Sequence, residues 1–252
     1  MSSLTPDLFA SLYARCTAAS PALSTLTLSD EAVHRLWTVC DLLIDNAKRF
    51  NLTAILEPEQ VVRKHIADSL IPLVLLRDAG IDPASCGAIL DVGTGAGFPL
   101  LPWACALPDT VALTGLDATA KKISHIRASA EAAGLSNVAA VQGRAEEAAR
   151  EGMREHFDLV TARAVAALPV LCELCAPLVK VGGCFAALKS HAEDEIRDAA
   201  PAAALLGLDE AEAIAYELPG GDARTLVVYR KTRPTPAKYP RRYAEITKQP
   251  LA

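Results

Sequence analysis

The pattern of hydrophobic and polar positions changes near residue 86. Before it, apolar residues recur at helical spacing, most clearly after Ser29, which suits the cap of a helix with an acidic first turn. A second helix is predicted at 61–70. Beyond residue 86, short apolar runs alternate with amphipathic stretches, which is typical of strands and helices in turn. The chain is therefore predicted to contain a helical cap at 1–85, an α/β domain at 86–232 and a tail at 233–252.

The alternating part predicts a doubly wound sheet. Strands are expected at 88–92, 111–116, 138–142, 157–161, 182–188, 212–218 and 225–230. Helices are expected between them at 99–106, 119–133, 168–178 and 191–206. Alternation of this kind indicates a mostly parallel sheet. The link at 219–222 is too short for a crossover, so the last two strands must pair as an antiparallel hairpin.

A glycine-rich turn follows the first predicted strand. Asp91 ends the strand, Gly93, Gly95 and Gly97 follow at alternate positions, and Pro99 suits the first position of a helix. Glycines permit a positive φ and the close approach of a ligand to the main chain. The start of a helix offers unpaired N–H groups. The stretch therefore predicts a site for a nucleotide-like ligand, with a plain turn as the alternative.

The spacing of these glycines separates two cofactor classes. A dinucleotide fingerprint reads G-x-G-x-x-G, whereas Phe98 stands here in place of its third glycine. The carboxylate of Asp91 would repel a phosphate but attract a sulfonium or ammonium group. The turn resembles the first motif of Rossmann-like class I methyltransferases, whose sheet also ends in an antiparallel strand. We therefore predict S-adenosylmethionine as the cofactor, with an NAD(P)-dependent oxidoreductase as the alternative.

The strand ends supply further candidates, because ligands bind at the carboxyl edge of such a sheet. Asp117 would accept hydrogen bonds from the ribose hydroxyls, or else cap the next helix. The N–H group of Ala145 and the side chain of Glu146 would meet the adenine edge. Arg163 would face the cleft, or form a structural ion pair. His65, before the sheet, would face a substrate or serve a structural role.

Several stretches are shared with one known family. They are residues 50–55, 64–70, 91–99, Asp117 with Lys121 and Lys122, then 144–147, 162–164, 187–189 and 234–242. Over nearly its full length the chain resembles the ribosomal small subunit methyltransferase G family, also called glucose-inhibited division protein B. The resemblance implies methyl transfer from S-adenosylmethionine to N7 of one guanine in small-subunit (16S) ribosomal RNA. It places cofactor contacts at Gly93, Phe98, Ala145, Glu146 and Arg163.

The chain departs from the family at Leu100, where another glycine is usual after the proline. We expect Leu100 to lie inside the helix and to pack tightly, without loss of the cofactor site. Guanine N7 carries a free lone pair and loses no proton when it is methylated. No general base is therefore required, and the only catalytic candidates are His65 and Arg163, acting by positioning.

Charge changes the expectation for the RNA partner. The chain is 51% hydrophobic with a net charge of −5, so it is not basic throughout, and RNA contacts must come from local clusters. The candidates are Arg63, Lys64, Lys121, Lys122, Lys238, Arg241 and Arg242. Lys121 and Lys122 could instead lie on a solvated helix face. A non-catalytic RNA-binding module is a further alternative to the enzyme.

The tail is the strongly basic part of the chain. Six basic residues against one acidic residue give positions 231–252 a net charge of +5. Its prolines exclude a continuous helix and favour an extended conformation. We expect removal of residues 234–252 to weaken RNA binding and to leave cofactor affinity nearly unchanged. An unstructured, solubilising terminus is the alternative.

The remaining residues indicate a cytoplasmic protein without a metal. Seven cysteines form no pattern beyond the lone C-x-x-C of Cys172 and Cys175, which we interpret as core residues, with zinc or redox chemistry as the alternative. The odd count and the lack of a signal peptide indicate a reducing cytosol. No apolar run reaches the roughly 18 residues that span a membrane. We expect a monomer.

Overall fold

A seven-stranded sheet lies at the centre of this computed structural model, which describes residues 4–50 and 52–251 and only the backbone of 48–50. Its strands are β1 Ala88–Val92, β2 Ala112–Asp117, β3 Val138–Gln142, β4 Phe157–Arg163, β5 Val179–Lys189, β6 Glu212–Glu217 and β7 Ala223–Arg230. Their order is β3-β2-β1-β4-β5-β7-β6, and β7 is antiparallel to both neighbours. The predicted α/β class with an antiparallel last strand is confirmed.

Helices fill the chain before the sheet. They are α1 Pro6–Ala18, α2 Pro21–Ser24, α3 Asp30–Phe50, α4 Pro58–Val61, a π-helical segment Val62–Ala67 and α5 Asp68–Asp78. The side chains of Thr5 and Ser20 accept N–H groups of the first turns of α1 and α2, and a proline follows each cap. The helix predicted at 61–70 is thus part of a longer run, interrupted by the π-helical turn that carries His65. Such turns are common near functional sites.

The helices that follow β1 are mostly those predicted. They are α6 Leu100–Ala106, α7 Ala120–Ala132, α8 Ala145–Ala148, α9 Leu168–Cys175, α10 Glu193–Leu206 and α11 Tyr243–Lys248. Pro99 precedes α6 as its N-cap instead of opening it, and the helix predicted at 168–178 ends in a 3₁₀ turn, Ala176–Leu178. Helices α8 and α11 were not predicted, because four and six residues are too few to show a period.

Two hydrophobic clusters cover the two faces of the sheet. Successive strand residues point to opposite faces, so Ile89 joins the cluster with α3, α5, α6 and α7, whereas Leu90 joins the one with α9 and α10. The N-terminal helices are part of the first layer: the indole of Trp103 in α6 donates to the Ser69 carbonyl oxygen of α5 at 2.6 Å. Cys172 and Cys175 are fully buried in the second cluster.

The tail packs against the second layer and its residues Tyr243–Lys248 form α11, so the extended conformation predicted for the whole tail is wrong. Glu173 of α9 is fully buried, and it accepts hydrogen bonds from the backbone and the guanidinium group of Arg241 at 2.7–2.9 Å. Arg150 and Arg154 donate to tail carbonyl oxygens at 2.6–2.8 Å, and Ile246 of α11 is buried. The prolines do exclude a continuous helix. Partners distant in sequence, which composition does not reveal, hold the tail in place.

Candidate cofactor and substrate site

The glycine turn after β1 has the backbone that its sequence predicts. Gly93, Gly95 and Gly97 have φ angles of +66°, +61° and +91°. A Cβ at Gly97 would lie 2.5 Å from Leu101 Cδ1, so this glycine permits the close packing of α6. Among the described residues, a Cβ at Gly95 would have only the Gly93 carbonyl oxygen near it, at 3.8 Å. The side of Gly95 is therefore open to a ligand, which fits the predicted cofactor contact.

Leu100 takes the place expected for it. It is the first residue of α6 and is buried. A Cβ built on Gly115 of β2 would lie 2.6 Å from Leu100 Cδ2. The leucine therefore fills the space over a glycine in the next strand, and the glycine turn keeps its form.

Asp91 is a buried carboxyl group with no hydrogen-bond partner in the described part of the chain. It is 1% exposed, and neither oxygen has a hydrogen-bond partner among the described residues. Burial raises the pKa of Asp91 to about 7. The Thr94 hydroxyl and the Leu100 N–H lie near enough to lower this pKa, but neither reaches hydrogen-bond geometry. A buried carboxylate is costly unless a cation pairs with it. The ammonium group of S-adenosylmethionine is such a cation, so the orphaned carboxylate fits this cofactor.

Asp117 fixes the glycine turn to the end of β2. Its Oδ2 accepts the Gly95 N–H at 3.1 Å, and its Oδ1 accepts the Thr119 N–H at 2.8 Å, ahead of α7. Lys122 Nζ lies 3.5 Å from the same carboxylate. Lys122, predicted to contact RNA, is thus paired with Asp117, a predicted cofactor residue. The ribose contact of Asp117 stays a prediction.

A cavity of about 130 Å³, here called the adenosine pocket, brings together four of the predicted cofactor residues. Gly93, Asp117, Ala145 and Glu146 line it, and Glu146 is 5% exposed. Tyr243 of the tail lines it too. The sequence indicates Tyr243 only as an aromatic residue of the basic tail that could stack on RNA bases, because its helix is short and lies far along the chain from the glycine turn.

Arg163, at the end of β4, takes part in a buried ionic cluster. Its Nη1 lies 3.1 Å from Asp68 Oδ2, while Asp68 Oδ1 accepts from the Tyr216 hydroxyl at 3.2 Å and lies 3.3 Å from Arg224 Nε. The guanidinium group of Arg163 also lies 5.8 Å from the ring centre of Phe98. Arg163 therefore forms the structural ion pair that is its alternative role, and its contact with the cofactor stays a prediction.

His65 also packs against Phe98. The two ring centres are 4.8 Å apart, and His65 Nε2 is 3.1 Å from Thr53 Oγ1. Burial, aided by the charge of Arg163, lowers the pKa of His65 to about 3. The imidazole is therefore neutral near pH 7, and it packs against Phe98, a predicted cofactor residue.

A larger cavity of about 600 Å³, here called the substrate cavity, opens beside this cluster. It is bordered by the ends of β4 and β5 and the start of β7, which share the carboxyl edge of the sheet. Its cations are Lys64, Arg163, Lys189 and Arg224. Asp68 pairs with two of them, and Glu195 lies 2.7 Å from Lys189 Nζ. Each of the four cations therefore lies near a carboxylate, and Arg163 and Arg224 share that of Asp68.

Comparison with known proteins decides the family. The model of the rRNA small subunit methyltransferase G family matches residues 33–218. The chain belongs to this family. The ribosomal RNA small subunit methyltransferase G of Deinococcus radiodurans is 48% identical over 213 residues, which cover 83% of this chain and 82% of that protein. The protein of the same name from Lactococcus lactis subsp. cremoris is 40% identical over 238 residues, covering 91% and 97%.

Solved structures agree on the fold of this methyltransferase. An O-methyltransferase from Bacillus cereus, in complex with SAH, superposes with a TM-score of 0.58 at 18% identity, over 90% of this chain and 100% of that chain. At that identity the likeness concerns the fold alone. The predictions of the family, of a methyltransferase and of S-adenosylmethionine as its cofactor are confirmed. The alternative predictions, an oxidoreductase and a non-catalytic RNA-binding module, are not confirmed.

The basic residues predicted to bind RNA differ in their exposure and in their pairing with carboxylates. Lys121, Lys238 and Arg242 are exposed. Arg63 and Lys64 lie 2.9 and 3.9 Å from one carboxylate oxygen, Oδ2 of Asp222. Arg241, as described above, is bound to the buried Glu173, so its guanidinium group holds the tail. The RNA contacts of all these residues stay predictions.

Two features are absent from the part of the chain that the structure describes. None of the helices at 4–50 and 52–251 is long and apolar enough to cross a membrane. The same residues hold no group of three His, Cys, Asp or Glu side chains placed to bind a metal ion. In the shared stretch 50–55, Asn51 lies outside the described residues, and so does the side chain of Phe50.

Proposed function

We propose that this protein transfers the methyl group of S-adenosylmethionine to N7 of a guanine in small-subunit (16S) ribosomal RNA, and that the guanine enters the substrate cavity. The observation that carries the proposal is the position of Arg163. It lines the substrate cavity and also lies over Phe98, a cofactor contact implied by the family. A base in this cavity would therefore lie next to the cofactor.

The reaction needs no general acid or general base. Guanine N7 already presents a lone pair, so it attacks the methyl carbon while the bond to sulfur breaks, and no proton is lost. The protein must hold the two reactants in line and keep water out, which contributes up to about 7–11 kcal/mol in favourable cases. His65, neutral because burial lowers its pKa to about 3, suits a role in shaping this site.

The carboxylates around the substrate cavity offset part of the charge of its cations. Methylation at N7 leaves a positive charge on the guanine ring, which an unpaired cation nearby would oppose. The guanidinium groups of Arg163 and Arg224 are both paired with the buried carboxylate of Asp68. Lys64, 3.9 Å from its nearest carboxylate oxygen, is the most loosely paired cation of this cavity among the described residues and suits an RNA phosphate.

The RNA must offer the guanine outside a regular helix. The major groove of A-form RNA, where N7 lies, is too narrow and deep for side chains to enter. A guanine in a loop, or one that is unstacked, can enter a cavity at the sheet edge. We propose further that the enzyme acts as a monomer in the cytoplasm. The support for a monomer is that one chain supplies both cavities, and sedimentation of the protein with and without RNA would test it.

The test replaces the nucleophilic atom. Small-subunit ribosomal RNA is transcribed with guanosine or with 7-deazaguanosine, which has carbon in place of N7. Methyl transfer from labelled S-adenosylmethionine is then measured, and the affinity of each RNA for the protein serves as the control. We expect transfer to the guanosine RNA and none to the 7-deaza RNA at equal occupancy. Equal transfer to both RNAs would overturn N7 as the acceptor.

A further inference from the structure

The C-terminal tail reaches the cofactor. We propose that Tyr243 contacts the adenine ring of S-adenosylmethionine and that the tail is a wall of the cofactor site. This rests on the proposed function, because it takes the cofactor to be S-adenosylmethionine. It adds a cofactor residue that neither the glycine turn nor the strand ends contain.

The position of Tyr243 supports a contact with adenine. It lines the adenosine pocket together with Ala145 and Glu146, the residues assigned to the adenine edge, and with Asp117, assigned to the ribose. The tyrosine is 40% exposed, so protein atoms leave much of its ring uncovered. The guanidinium carbon of Arg144 lies 5.2 Å from the ring centre and restrains the ring. An aromatic face beside these residues suits a flat base.

The tail is held firmly enough to place this ring. Two residues before Tyr243, Arg241 binds the fully buried Glu173 through its backbone N–H, Nε and Nη2 at 2.7–2.9 Å. Arg241 Nη2 also donates to the Gln249 carbonyl oxygen at 3.0 Å, so it joins both ends of α11. Ile246 is buried beneath the helix. A buried carboxylate is stable only with its partner in place, so Glu173 favours one position of the tail.

A contact of Tyr243 with adenine reverses one expectation drawn from the sequence. Removal of residues 234–252 was expected to leave cofactor affinity nearly unchanged, because a basic, proline-rich tail was expected to serve RNA alone. If Tyr243 covers the adenine, removal of the tail weakens cofactor binding as well.

The test compares Tyr243→Ala with Tyr243→Phe and with Lys248→Ala, which changes an exposed residue of the same helix outside the adenosine pocket. Calorimetry measures the affinity of each protein for S-adenosylhomocysteine and for adenosine alone, and thermal unfolding confirms that each is folded. We expect Tyr243→Ala to lower the affinity for both ligands about tenfold, which corresponds to about 1.4 kcal/mol. Tyr243→Phe and Lys248→Ala should bind like the wild type.

Three other binding results would each contradict a different claim. Wild-type affinity of Tyr243→Ala for S-adenosylhomocysteine would overturn the inference. A loss confined to S-adenosylhomocysteine, with unchanged adenosine affinity, would overturn the contact with adenine. A wild-type protein that binds no S-adenosylhomocysteine would instead overturn the proposed function.

Discussion

Replacing Asp91 by asparagine should make cofactor binding weaker and independent of pH. In the wild type the carboxyl group is buried without a hydrogen-bond donor among the described residues, and burial raises its pKa to about 7. At pH 5 it is therefore mostly protonated and neutral. A bound ammonium group stabilises the ionised form and lowers this pKa. Binding below pH 7 must then release a proton from Asp91.

The size of the effect follows from this shift. An increase of the pKa from 3.8 to about 7 corresponds to about 4 kcal/mol, the upper limit for the cost of ionising the buried group. The folded protein binds the proton more tightly than the unfolded chain does. The free energy of unfolding of the wild type, relative to that of Asp91→Asn, therefore falls as the pH rises from about 4 to about 7. It falls no further above pH 7. Cofactor affinity should rise up to about tenfold per pH unit below 7.

Calorimetry of S-adenosylhomocysteine binding at pH 5, 6 and 7, in two buffers of different ionisation enthalpy, measures both quantities. The ammonium group of the ligand stays charged across this range. For the wild type we expect release of about one proton at pH 5 and an affinity that rises with pH. Asp91→Asn should show neither, and urea unfolding checks that it is folded. A pH dependence that survives in Asp91→Asn would refute the assignment of the ammonium to this carboxylate.

Three further predictions concern the cofactor and the RNA. Gly95→Val should abolish S-adenosylhomocysteine binding, because the φ of +61° is strained for valine and its side chain would enter the ligand's space; wild-type affinity in calorimetry would contradict this. Asp117→Asn should weaken that binding more than Asp117→Glu does, because the charge-assisted hydrogen bonds to ribose are removed; equal affinities would leave Asp117 only its bonds to Gly95 and Thr119. Lys238→Gln combined with Arg242→Gln should flatten the log–log salt dependence of RNA affinity by about 0.7–0.9 for each phosphate that the protein no longer neutralises, and a line parallel to that of the wild type would exclude such contacts.

The sheet and the glycine turn could be predicted because their signals are local. Each strand is a short apolar run, and the turn needs glycine wherever the backbone takes a positive φ, as at Gly93, Gly95 and Gly97. Asp91 and Asp117 could be found for the same reason, since each ends a strand. The hydrogen-bond partners of Asp117, and the lack of any for Asp91 among the described residues, could not be predicted, because both depend on the packing of α6 and α7 over the sheet.

The unpredicted parts of the site depend on contacts between distant segments. Asp68 lies on a helix and meets Tyr216 and Arg224 of the β6–β7 hairpin, and Tyr216 is 148 residues further along the chain. Glu173 looks like an ordinary helix residue until its burial opposite Arg241 is known. A charge count of the tail cannot tell an arginine bound to a buried carboxylate from one that is free for RNA. Tyr243 likewise lines the adenosine pocket through a contact between distant segments, which a charge count does not reveal.

The central claim concerns the atom that receives the methyl group. Small-subunit ribosomal RNA is incubated with the protein and with S-adenosylmethionine that carries a deuterated methyl group, then digested to nucleosides and analysed by mass spectrometry. The site described here predicts that the label appears in 7-methylguanosine, at one per RNA molecule. Label in any other nucleoside, or none in RNA while the cofactor is bound, would contradict it.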